Sequence, residues 1–83
     1  MPSHKAEDLD ILQKELYSKA VHKRNFLSEI LPPEFYKKVL RTRWCDLPDL
    51  VSNENLETQK VAQEARMLWV RWTQVVGELE NLL

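Results

Sequence analysis

His4, His22 and Cys45 are the side chains best suited to hold a metal ion or to pair as nucleophile and base. A zinc or transition-metal site needs three or four such ligands at short, regular spacings. No two of these three stand at ligand spacing, and His4 falls in a terminal turn. Cys45 follows Arg43 and Trp44, and basic neighbours can lower a thiol pKa. Catalysis also requires an oriented base and a pocket, and no motif ties His22 to Cys45. A single glycine, Gly77, excludes a glycine-rich phosphate loop. The reading is therefore of a non-enzymatic chain with no metal and no cofactor, its histidines solvated and its cysteine packed.

Basic residues are the next chemistry to weigh. The chain carries 12 basic and 13 acidic side chains, a formal charge of −1, which gives no global attraction to nucleic acid or acidic lipid. The distribution is uneven: residues 1–32 balance, residues 33–44 sum to +3 and residues 45–83 to −4. Lys37, Lys38 and Arg41, joined by Arg43 and by Lys19, Lys23 and Arg24 late in the first segment, define a basic edge for an anionic partner. Three-helix DNA-binding domains use such a helix in the major groove, so a small helical nucleic-acid-binding domain is the alternative reading. Against it stand the small size of the patch and the acidic tail.

These residues need elements to position them. Three of the four prolines, Pro32, Pro33 and Pro48, divide the 83 residues into three segments, and no stretch sustains strand-like alternation. The expected fold is all-α: an elongated antiparallel helical hairpin with a short middle helix, a coiled-coil-like three-helix bundle forming one domain over residues 1–83. Its helices are expected at about 4–31, 33–44 and 54–83, with a loop over 45–53.

In the first helix, Ser3 is a candidate N-cap, and Leu9, Leu12, Leu16, Ala20, Leu27 and Ile30 form one stripe at helical spacing. Lys23 interrupts that stripe, its stem lying along it and its head in water. Asp10/Lys14 and Glu15/Lys19 are acid-before-base pairs on the exposed side. Pro32 disfavours helix at Leu31 and ends it. Pro33 suits the first position of the second helix, whose apolar side carries Phe35, Tyr36, Val39 and Leu40. Leu47, Leu50 and Val51 predict a loop that folds over the end of the bundle, with a helical turn capped by Asp46. Ser52 or Asn53 is the expected cap of the third helix.

That third helix has the clearest pattern. Val61, Ala65, Leu68, Trp72, Val75, Leu79 and Leu82 alternate by four and three, the a/d signature of a heptad. A second row, Ala62, Trp69, Val76 and Leu83, runs beside it at seven-residue intervals. Three apolar positions per heptad make a stripe wider than a two-stranded seam uses. Met67 and Val70 add two apolar residues behind it, and Gly77 weakens the last turns.

Helix lengths point the same way. At 1.5 Å per residue the two long helices would each run about 40–45 Å, against a diameter of roughly 30 Å for a compact globule of this size. Trp72 is assigned to the internal seam. Trp69 is assigned to a contact between chains, with packing under the middle helix or the apolar loop as its alternative. The function expected from the sequence is protein–protein interaction or complex assembly. It would bury Ala62, Trp69, Val76 and Leu83 against another protein or a second copy of the chain, as a scaffold or oligomer, with Glu64, Arg71 and Glu78 setting register. No segment has the length and apolarity of a membrane span, and the unpaired thiol suggests an intracellular setting, cytoplasmic or nuclear.

Overall fold

The computed structural model describes residues 4–83 and is all-helical, with no strand among the described residues. α1 (His4–Ile30) and α4 (Leu56–Leu82) are the two long arms of an antiparallel hairpin. Between them lie a 3₁₀ turn (Pro33–Phe35), α2 (Tyr36–Arg41), a second 3₁₀ turn (Trp44–Asp46) and α3 (Leu47–Leu50). The molecule measures 50 × 21 × 17 Å, with a radius of gyration of 14.9 Å. A compact globule of this length would have a radius of about 12 Å. The hairpin is long and slender, as the helix lengths require.

Local sequence explains each boundary. The cap expected at Ser3 lies outside the described residues. α1 stops before Pro32, which is extended (φ −55°, ψ 149°), while the Leu31 N–H still reaches the Leu27 carbonyl at 3.2 Å. Pro33 then opens a 3₁₀ turn, and the Phe35 N–H donates to the Pro32 carbonyl at 2.9 Å. α2 ends at Thr42, sooner than the sequence pattern suggests. Thr42 turns extended and directs both its N–H (3.0 Å) and its hydroxyl (2.6 Å) to the Lys38 carbonyl.

The segment over 45–53 contains the expected helical turn, α3, and Leu47 and Val51 have no exposed surface, so it folds over the end of the hairpin. Asp46 stands at the cap position of α3 but caps nothing, because its carboxylate accepts from Arg43 Nε at 2.9 Å. The cap of α4 is Asn55, neither Ser52 nor Asn53. Its Oδ1 accepts the Thr58 N–H at 2.9 Å. Ser52 is occupied by the preceding turn, where its N–H donates to the Asp49 carbonyl and its own carbonyl accepts from Gln59 Nε2 at 3.2 Å. α4 then runs through Gly77 without a break.

The core sits at the loop end. Leu27, Leu31, Val39, Leu47, Val51, Val61, Ala62 and Ala65 form one buried cluster, with Phe35, Trp44 and Leu50 packed on it. α2 lies against α1, and α3 with its 3₁₀ turn lies against α4. The short elements thus cover only one end of the hairpin. Over residues 4–18 of α1 and 68–82 of α4, Leu16 and Val75 alone are buried. That half is a bare two-helix arm.

Candidate interaction surface

α4 passes from the covered end to the bare arm, and its second apolar row records the change. Ala62 is 0% exposed, Trp69 and Val76 are half-buried, and Leu83 is 91% exposed. Ala62 therefore belongs to the chain's own core beneath the short elements and has no surface to offer a partner. This corrects the expectation that all four residues share one partner-facing role. Trp69, Val76 and Leu83 do reach the surface.

Trp72, assigned to the seam, is half-buried there and satisfied within the chain. Its indole Nε1–H donates to Gln13 Oε1 at 2.9 Å, and its ring lies 5.3 Å from that of Tyr17 at 51°. Such tilted aromatic pairs contribute about 0.5–1.5 kcal/mol beyond the area they bury. Gln13 Nε2 in turn donates to Asp10 Oδ1 at 3.2 Å, and Asp10 Oδ2 meets Lys14 Nζ at 3.0 Å. The hydrogen bond from Lys14, then that from Gln13, holds the Asp10 carboxyl below its ordinary pKa. The roles of Gln13 and Tyr17 are not legible in the sequence, because a glutamine and a tyrosine beside a leucine stripe read as its polar edge. Their four-residue spacing, which stacks them on one side of α1 next to Leu16, was the available signal.

Of the expected register charges, one is engaged inside the chain. Glu64 is bound within the chain, accepting from Lys23 Nζ at 2.7 Å, so the head of Lys23 bridges the two arms at the surface. Both side chains are partly exposed, and such a pair contributes roughly 0–1 kcal/mol.

The basic edge is also partly spent. The Arg24 guanidinium lies over the Trp44 ring at 4.6 Å, and Arg43 is paired with Asp46, which raises its pKa further. Lys38 Nζ stands 5.2 Å from the Phe35 ring centroid. Lys37, Lys38 and Arg41 are exposed on α2, but the groove beside Arg41 is shared by Asp46 and Asp49. Carboxylates at that position oppose a phosphate.

Cys45 is exposed, and among the described residues no three His, Cys, Asp or Glu side chains gather as metal ligands would. No helix of the described residues is long and apolar enough to cross a membrane. The molecule is, by fold, an all-α helical hairpin whose main core cluster lies at one end. No protein family, curated protein or solved structure matches the chain.

Proposed function

We propose that this chain is a non-enzymatic interaction or assembly module that completes the bare arm of its hairpin against another helix. The observation that supports the reading is the fall in burial along α4, from 0% exposure at Ala62 to only partial cover at Trp69, Trp72 and Val76. A two-helix arm cannot enclose three apolar positions per heptad, so a further helix gains what the short elements supply at the other end. Each Å² of apolar surface it removes from water is worth about 25 cal/mol before ordering costs. Tryptophan is among the residues enriched at the energetically dominant positions of such contacts.

The test compares two variants of the tagged chain by its apparent size in native extract of the cells that make it. Trp69→Ala should return the chain to its own 9.9 kDa while leaving its helicity in isolation unchanged. The double reversal Lys37→Glu/Lys38→Glu should leave the assembled size intact. The opposite pattern, with Trp69→Ala harmless and the reversal disruptive and salt-sensitive, would assign the function to an anionic partner of α2.

A further inference from the structure

We infer that the helix completing the arm is α4 of a second copy of this chain, paired antiparallel about Thr73; the inference rests on the assembly reading above. The relation is visible in the order of residues along one side of α4. Arg66 and Glu80 stand seven residues either side of Thr73, Trp69 and Gly77 four either side, and Val70 and Val76 three either side. At 100° per residue, all seven fall within an arc of about 120° centred on Thr73. When two identical helices pack antiparallel across a two-fold axis, residues equidistant from the axis face one another. Centred on Thr73, that arrangement sets Arg66 against Glu80 of the second copy, Trp69 against its Gly77, and Val70 against its Val76, each contact occurring twice.

Three observations carry the assignment. The first is charge complementarity: the two ionic residues of the arc have opposite sign and meet each other. Arg66 Nε is buried with no hydrogen-bond partner, and the guanidinium's contact within the chain is to the neutral Gln63 Oε1 at 3.2 Å. Glu80 is exposed.

The second is Gly77. A methyl built there would meet no atom within 4 Å, so nothing inside the chain requires a glycine, and glycine is a poor residue for a helix interior. Facing the indole of Trp69 from a second copy, its missing side chain is the notch that lets a large ring approach a helix backbone.

The third is that the chain leaves this side of α4 partly open. Glu64, nine residues from Thr73 and so on the opposite side of the helix, is already held by Lys23 of α1. Arg66, Trp69, Thr73, Val76 and Gly77 are all partly exposed, and Val70 is 36% exposed. The short elements over Ala62 limit the overlap to the part of α4 from Arg66 onward.

The test is the molar mass of the isolated chain by light scattering from about 1 µM to about 1 mM, the range in which a modest interface would dissociate, with helicity followed by circular dichroism. The expected result is conversion from 9.9 kDa to twice that mass. Gly77→Leu should weaken the dimer by roughly tenfold or more while making the dilute monomer more helical, opposite signs that a folding defect cannot produce. Arg66→Glu and Glu80→Arg should each lose the dimer alone, form a dimer when mixed, and regain it when combined in one chain. A monomer throughout the range would overturn the inference, as would a dimer indifferent to both Gly77→Leu and the charge exchange. If the chain is monomeric in isolation but large in extract and reduced by Trp69→Ala, the inference falls and the assembly reading stands. If it is small in both, both fall.

Discussion

The indole N–H of Trp72 donates to the side-chain carbonyl of Gln13 at 2.9 Å, joining the two long helices across 59 residues of chain. The bond sits where the bare arm begins to rely on side chains more polar than those at the loop end. Gln13 passes the connection to Asp10, and Asp10 to Lys14. Trp72 thereby contributes its apolar ring to the seam while its one polar atom is satisfied.

Replacing Gln13 by leucine should strand that N–H in a partly buried site and cost about 1–2 kcal/mol, because an unmade hydrogen bond is more expensive than a made one is favourable. Trp72→Phe in the same background should recover part of the loss. Urea unfolding of the two single variants and the double variant measures the coupling.

Core positions should separate sharply from arm positions. Leu27 and Leu47 have no exposed surface, so truncating either to alanine should cost about 2–5 kcal/mol, enough to unfold much of a chain this small. Leu83→Ala, at 91% exposure, should leave the stability of the isolated chain within about 0.5 kcal/mol of the parent. Thermal melts of the dilute chain report both.

Asp10 has its pKa lowered in the folded chain, chiefly by the hydrogen bond from Lys14. Its contribution is therefore present above the unfolded aspartate value of about 3.9 and is lost as pH falls through the lower folded value. Asp10→Asn should be less stable than the parent at neutral pH, and the difference should vanish in acid below the folded pKa. The site is exposed, so the effect is small, and paired urea titrations at the two pH values are the suitable measurement.

Asn55→Ala removes the side-chain acceptor of the Thr58 N–H at the start of α4. A loss of about 1 kcal/mol is expected, with faster amide exchange confined to the first turn of that helix. Ser52→Ala and Asn53→Ala should leave that exchange unchanged.

Periodicity made much of this architecture legible. The four-and-three alternation from Val61 to Val75 could only be a long helix seam, and Pro32–Pro33 could only be a break. The apolar content of Leu47, Leu50 and Val51 correctly implied that the middle segment returns to cover the end of the hairpin. Periodicity is silent, however, on how far along the arms that cover reaches. Ala62 and Trp69 occupy equivalent heptad positions, yet one lies under the short elements and the other on the bare arm.

Cap choice was illegible for a similar reason. Ser52, Asn53 and Asn55 are chemically alike as caps, and the turn leaving α3 decides among them. Glu64, Arg71 and Glu78 lie on the side of α4 away from Trp69 and Val76. On the helix, Arg66 and Glu80 are the ionic residues that flank Trp69 and Val76. Gln13 and Tyr17 were missed because their role depends on Trp72, which is distant in sequence and adjacent only in the fold.

The most direct measurement of the central claim places a photo-reactive side chain at Val76, on the bare side of α4, and separately at Ile11, 57% exposed on α1. Each chain is irradiated in the cells that make it. The account predicts an abundant adduct of discrete mass from position 76 and little from position 11. Equal yields from the two positions, or none from Val76, would contradict it.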